Sequence, residues 1–367
     1  MSVITSRPVL RWLVPVAAAA TVIGGGAAIG TFAAEAEPAL PPRTAAQLLV
    51  DLQTSQLEGL SGTVVQRADL GLPPIAGLAA NSSDLAALVT GTHTLRVWYS
   101  GPERQRVALL DTLGERDLIH DGRDVWTWDS RTNTATHRTL DAETAKGIHE
   151  APELPVTPQE AADRALAAVD ESTAVSVGRA ARVAGRDAYE LVLEPRDQAS
   201  LVHQLRIAID AREHVPLRFE VFADGSDQPA FEVAFTQIDF RRPDADQFTF
   251  NPPPGVTVKE ETADRPAAGE RRPDATTRAA ERPQMRTVGT GWTTVLEARV
   301  GDGAPTSAKG AADSEFAGVL GALPAVSGDW GSGRLLTGKL FSVLLTDDGR
   351  VLAGAVTPER LYEVARG

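Results

Sequence analysis

AYELVLE (Ala188–Glu194), LVHQLRIAID (Leu201–Asp210), LRFEVF (Leu217–Phe222) and FEVAFTQIDF (Phe231–Phe240) are the segments on which the reading of this chain turns. Tyr189, Leu191 and Leu193 fall on one side of the first, against Glu190 and Glu194. Leu205, Ile207 and Ile209 oppose Gln204, Arg206 and Asp210; Leu217, Phe219 and Val221 oppose Arg218 and Glu220; Phe231, Val233 and Phe235 oppose Glu232 and Thr236. A period of two is that of a strand, and one apolar side per strand predicts a sheet with one covered face. The breaks at Asp210–Pro216 and at Asp224-Gly225-Ser226-Asp227 carry turn residues, and connections this short predict antiparallel neighbours.

The same alternation continues upstream. His93–Tyr99 with Arg104–Leu110, and Arg116–His120 with Asp124–Asp129 over Asp121-Gly122, read as hairpins, followed by a strand at Thr134–Thr139. Thr63–Gln66 reads as a first strand. Two capping boxes, Thr44-x-x-Gln47 and Thr157-x-x-Glu160, open helices predicted over Arg43–Leu57 and over about Pro158–Val169. Ala68–Thr92 is an unusually apolar loop, read first as a short helix on the sheet edge and second as a lid. Gln247–Phe250 and Asn251-Pro252-Pro253-Pro254-Gly255-Val256 close this body.

Outward from it, Glu260–Pro283 has no apolar period and reads as a disordered linker. Beyond it lie a strand at Trp292–Val300, part of a helix at Glu315–Leu320, a hairpin of Arg334–Thr346 with Arg350–Val356, and a terminal helix from Thr357-Pro358 to Ala365. This second α+β unit is small and is expected to dock on the first. At the other end, Arg7 and Arg11 precede an uncharged run from Trp12 to Ala34, with Glu35 and Glu37 after it. The charge asymmetry places the body outside the cell membrane. The run reads as a single membrane anchor, or as a signal peptide cleaved near Ala34-Glu35-Ala36, in which case the protein is secreted.

A net charge of −13 argues against nucleic acid as a partner. The absence of cysteine removes disulfides and thiolate chemistry. His93, His120, His137, His149, His203 and His214 show no metal-ligand spacing, and His203 aligns with the apolar side of its strand. Gly333–Lys339 has most of a phosphate loop but is followed by Leu340 in a β-hairpin. Asp187 and Glu190 point to opposite faces. No G-x-S-x-G elbow occurs. The chain reads as a non-enzymatic protein with no cofactor, metal or catalytic residue.

Several stretches together resemble the periplasmic lipoprotein-carrier family (LolA) and its relative, the sigma-factor regulator RseB/MucB. Asp121-Gly122-Arg123-Asp124-Val125-Trp126-Thr127-Trp128-Asp129 is similar to the LolA-like "DGK-x-LW-x-Y" strand pair. Phe248-Thr249-Phe250-Asn251-Pro252-Pro253-Pro254-Gly255-Val256 is similar to its closing "F-x-F-x-P-P-x-G-V". Val183-Ala184-Gly185-Arg186-Asp187-Ala188-Tyr189, Leu193-Glu194-Pro195-Arg196-Asp197 and Asp210 with Pro216-Leu217-Arg218 resemble the regulator branch. The resemblance implies an α+β fold: a curved antiparallel half-β-barrel plugged by helices, over residues 43–258. On that reading 1–36 is the anchor or signal, 259–283 the linker and 284–367 the small C-terminal unit. It implies an apolar cavity for a lipid, an acyl chain or a lipoprotein, with Trp98, Leu109, Trp126, Trp128, Tyr189, Leu191, Ile207, Phe219 and Phe235 as candidate lining residues. It also implies an alternative role in envelope-stress regulation through a membrane anti-sigma-type partner.

Overall fold

The computed structural model describes residues 38–55, 57–71, 90–111, 114–140, 157–167, 169–261, 285–299 and 323–367. The architecture is mostly β, with a large curved sheet that does not close and few helices. The large sheet holds β1 (Leu60–Asp69), β2 (Thr90–Tyr99), β3 (Arg104–Asp111), β4 (Gly114–Asp121), β5 (Asp124–Asp129), β6 (Thr134–Thr139), β7 (Thr173–Val177), β8 (Ala181–Val183), β9 (Arg186–Pro195), β10 (Val202–Asp210), β11 (Pro216–Ala223), β12 (Pro229–Asp239) and β13 (Thr257–Glu261). Its order is β13-β6-β5-β4-β3-β2-β1-β12-β11-β10-β9-β7, with β8 also paired to β9. The chain thus makes two runs of neighbouring antiparallel strands, β2–β6 and β9–β12. Strand β1 joins them, pairing with β2 on one side and β12 on the other.

Helices α1 (Ala45–Thr54) and α2 (Pro158–Ala167) cover the apolar face. The capping box of α1 forms as the sequence predicts: the Gln47 backbone N–H donates to Thr44 Oγ1 at 3.2 Å and the Thr44 N–H to Gln47 Oε1 at 2.9 Å. Leu48 and Leu52 of α1 and Ala162 of α2 sit in one core with Val64, Leu95, Leu191, Ile207, Phe219, Phe231 and Phe235. Gly62 admits the close approach of β12: a Cβ there would come within 2.6 Å of the Gln237 carbonyl oxygen and 2.9 Å of the Phe235 ring. At the β10–β11 turn the buried Asp210 accepts from the Arg186 guanidinium and from the backbone N–H groups of Arg212 and Glu213. Burial alone would raise this carboxyl, but those donors hold it below the ordinary range.

A second sheet, ordered β14-β15-β19-β18-β17-β16, is built from β14 (Met285–Val288), β15 (Val295–Arg299), β16 (Ala325–Gly328), β17 (Gly331–Thr337), β18 (Ser342–Thr346) and β19 (Arg350–Gly354). Helix α3 (Pro358–Arg366) packs Leu361 and Val364 against Val295, Leu344 and Leu352. Three sets of contacts tie this sheet to the large one. Trp292 is buried in the main core and its Nε1 donates to Thr173 Oγ1 at 2.9 Å. The Lys339 N–H donates to the Leu70 carbonyl at 2.7 Å while its ammonium pairs with Asp69 at 2.6 Å. Backbone bonds join Leu201 to Ala355 and Thr357 to Ala199.

Several expectations change. Arg334–Thr346 is two strands rather than one, because the chain turns at Gly338–Phe341 to bring Lys339 and Leu340 onto the large sheet. The sheet is not wholly antiparallel, since β13 runs parallel to β6. His203 is exposed rather than on the apolar side, because a bulge between Val202 and Gln204 breaks the alternation there. The Ala68–Thr92 loop between its flanking strands, the Glu315–Leu320 helix and most of the linker lie outside the described residues, as does Trp12–Ala34. Among the described residues no helix is long and apolar enough to cross a membrane.

Candidate functional site

Cross-strand register sorts the nine candidate residues onto two faces. Starting from Leu191, one row runs Leu191–Ile207–Phe219–Val233–Gln66–His93 across β9, β10, β11, β12, β1 and β2. The neighbouring row runs Phe235–Val64–Leu95–Leu109–Arg116–Asp129 from β12 to β5, and the next continues Val97–Val107–Leu118–Thr127. These residues share the inner face, towards α1 and α2. Tyr189, Leu191, Ile207, Phe219, Phe235 and Leu109 therefore come together. Trp98, Trp126 and Trp128 do not: Trp98 pairs across to Arg106, and Trp126 to Ile119, all of the opposite parity. The three tryptophans line the outer face and cannot share a cavity with the other six.

Burial separates the six further. Leu191 and Ile207 are 0 % exposed and Phe219 and Phe235 2 %. Tyr189 is buried with its hydroxyl donating to the Pro41 carbonyl at 2.9 Å. These five are packed core. Leu109 is half-buried, and its neighbours Val107 and Leu118 continue the apolar face outward, Leu118 being 37 % exposed. The inner face is thus filled at β9–β12 and progressively accessible over β3 and β4. Val107 and Leu118 were not among the candidates. Their signal was present, since Leu95, Val97, Val107 and Leu109 alternate in step, but it favoured no aromatic residue.

The tryptophans belong to a second, smaller packing unit. The closing motif folds back over the outer face, setting the 3₁₀ turn Ala245–Phe248, with Phe248 buried, against β3 and β4, on a face where Ala108, Ile119 and Ala135 are also buried. The Phe250 ring lies 5.1 Å from Trp126 and 6.2 Å from Trp128. The Arg106 guanidinium sits 5.1 Å over Trp98, donates to Asp117 at 2.6 Å and reaches the Gln247 carbonyl. Burial pushes the Asp117 carboxyl up against the pull of Arg106. After Pro252–Pro254 the chain enters β13, whose residues are all exposed. Besides its pairing with β6, β13 is held by His137: the ring stacks on Trp126 at 4.2 Å, with Nε2 at 2.9 Å from Asp124 and Nδ1 at 2.8 Å from Glu260 of β13.

The outer face of β9–β12 and β1 carries a compact ionic array. Glu190 lies 3.4 Å from Arg218 and 4.0 Å from Arg206; Glu220 lies 3.1 Å from Arg218; Glu232 pairs with Arg67 at 2.9 Å. Glu220 and Glu232 are direct cross-strand partners. Burial, with Glu232 and Glu190 adding to it against Arg218 and Arg206, pushes the Glu220 carboxyl up to about 7. Among the described residues no cluster of three metal-ligating side chains occurs.

Residues 89–256 match the model of the MucB/RseB N-terminal domain, so the resemblance read from the motifs is shown over a little under half of the chain. No curated protein sequence matches the chain. Among solved structures it is similar to MucB in complex with MucA(peri), at 17 % identity over 88 % of this chain and 97 % of that one, with a TM-score of 0.43. The Pseudomonas aeruginosa MucA/MucB complex gives 17 %, 88 %, 96 % and 0.41. A LolA superfamily protein from Nitrosomonas europaea gives 12 % identity over 57 % of this chain and 99 % of that one, with a TM-score of 0.23.

Two pH effects follow. Burial opposes the His137 charge, but only the imidazolium can donate to Asp124 and Glu260 at once, and these bonds raise its pKa. The docking of β13 is therefore fully supported below the ordinary histidine value of roughly 6.5 and is lost as pH rises through the raised one. NMR titration should find His137 above the ordinary value, lowered again in Glu260→Gln; a value at or below the ordinary one refutes the clasp. For Glu220 the sign is opposite to that of a paired carboxylate: its raised pKa means the folded state loses stability between about pH 4.5 and 7. Glu220→Gln should be close to wild type at pH 4 and more stable at pH 8 by on the order of 2 kcal/mol, measured by denaturant unfolding.

Proposed function

We propose that this chain is an extracytoplasmic, membrane-anchored, non-enzymatic protein that takes an acyl chain of a lipid or lipoprotein on the inner face of its large sheet. The sheet acts as a half-barrel, with α1 and α2 filling its mouth. The observation that carries this is the change in burial along one apolar face. Tyr189, Leu191, Ile207, Phe219 and Phe235 are closed off by the protein's own packing, whereas Leu109, Val107 and Leu118 extend the same apolar rows into accessible surface. A face that is partly filled and continues outward is suited to a flexible hydrocarbon chain, and burial of each methylene favours binding by about 0.8 kcal/mol. The MucB/RseB N-terminal match supports the reading, because the LolA-like resemblance implies acyl binding. Titration with a fluorescent fatty acid should show saturable uptake. Leu118→Asp and Leu109→Asp should weaken it about tenfold or more by placing a carboxylate against hydrocarbon, and Trp128→Ala, on the outer face, should not. Purified protein that takes up no probe overturns the reading.

A second reading is favoured by the same family match, which falls in the regulator branch. In it the chain binds a membrane anti-sigma-type protein and reports on the envelope. Affinity capture from membranes should then recover such a partner, and deletion of the protein should alter envelope-stress transcription; unchanged transcription removes it.

A further inference from the structure

One inner-face residue does not fit the apolar pattern. In the row Leu191–Ile207–Phe219–Val233–Gln66–His93, four hydrocarbon side chains are followed on β1 by the amide of Gln66. Gln66 is 0 % exposed. Neither its Nε2 nor its Oε1 has a hydrogen-bond partner among the described residues. An unsatisfied buried polar group destabilises a fold, whereas an apolar side chain of the same shape does not. Asp210 is held by Arg186 and two N–H groups, Ser200 by its bonds to Val202, and Asp117 by Arg106 through one oxygen while its other oxygen has no partner; in Gln66 both polar atoms are without one. Gln66 therefore weakens the fold with no return among the described residues.

Its position suggests the return. Gln66 is cross-strand to His93, one row along the strands from Val64–Leu95–Leu109 and two from Val97–Val107–Leu118. Successive rows on one face are about 7 Å apart. A ligand lying along the accessible apolar rows, with its polar end turned inward over β1, would bring that end to Gln66. The carboxamide offers both an N–H donor and a carbonyl acceptor, so its complement is a group that also has both. We infer that Gln66 is a specificity-determining residue that reads the amide linkage of an N-acylated ligand. This rests on the acyl-binding reading above and adds to it the class of ligand: an acyl amide in preference to an ester or a bare hydrocarbon.

The test is competition against a bound fluorescent fatty acid, using N-methylhexadecanamide, methyl hexadecanoate and octadecane as competitors with wild type, Gln66→Leu and Gln66→Met. Wild type should prefer the amide to the ester by about fivefold or more, the worth of one further hydrogen bond. Both variants should lose that preference while retaining octadecane. In the absence of ligand both should unfold at the same or higher temperature than wild type, because the unsatisfied amide is gone. An unchanged order of competitors in the variants overturns the inference and leaves the acyl site standing. Variants that are destabilised without ligand also overturn it, since the amide would then serve the fold. If wild type takes up no probe at all, both the acyl reading and this inference fall.

Discussion

Everything in the large sheet depends on the pairing of β1 with β12. The two strands are far apart in sequence, and Ser61–Ala68 and Phe231–Asp239 are aligned residue against residue apart from one bulge between Thr63 and Val64. This pairing joins two local runs of hairpins into one surface. It also fixes parity: with Val64 opposite Phe235 and Leu95, the apolar rows of the downstream strands continue without a break into β2 and β3. A slip of one residue would turn Val64 and Ala68 outward and bring Val65 and Arg67 against the core. Non-local pairing of this kind is costly in chain entropy, and the reward is the burial of Val64, Leu95, Phe231 and Phe235, each at most 2 % exposed.

That dependence explains what could be read in the residues and what could not. The four downstream strands, the β2–β3 and β4–β5 hairpins and α1, α2 and α3 were legible, because each carries a local signal: alternation, a two-residue turn or a capping residue. Gly122, at a φ of 64°, opens the β4–β5 turn as expected. The face on which the tryptophans lie was not legible in the same way. Trp126 and Trp128 do share a face, but which one follows from four successive registers leading back to β1. Trp98 was the exception, since its neighbour Val97 is on the inner face and adjacent residues cannot be. The exposed, polar β13 has no strand pattern; it is held by Asn133, whose amide donates to the Gly255 carbonyl at 2.8 Å and whose own carbonyl accepts from Thr257, and by His137.

The two faces of the sheet solve different problems. The inner face is covered by α1 and α2 and by hydrocarbon. The outer face is covered in two ways among the described residues: over β3–β6 by the returning segment with Phe248 and Phe250, and over β9–β12 by its own long side chains. Arg206 stacks on Phe222 at 4.6 Å and Arg186 on Phe240 at 4.6 Å, so the guanidinium planes roof aromatic rings while remaining in contact with water. Of the nine candidate residues, Trp98, Trp126 and Trp128 pack on the outer face, five are buried in the core of the inner face, and Leu109 stands at the accessible end of that face.

The ionic array on β9–β12 acts on register more than on stability. Glu190, Glu220 and Glu232 face Arg67, Arg206 and Arg218, so the array is neutral in formal charge. Half-buried ion pairs of this kind contribute little net free energy, since desolvation offsets attraction, and the raised Glu220 carboxyl shows that desolvation prevails at that position. Its effect appears in the alternatives. Any one-residue shift of β11 against β10 or β12 that kept the chain paired would drive Arg218 and Glu220 into the face now held by Leu217, Phe219 and Val221, where no opposite charge is placed to meet them. The cost of that arrangement is far larger than the gain from the native pairs. The charges on the outside therefore protect the alignment of the hydrocarbon on the inside, and with it the continuity of the rows from Leu191 to the accessible Leu118.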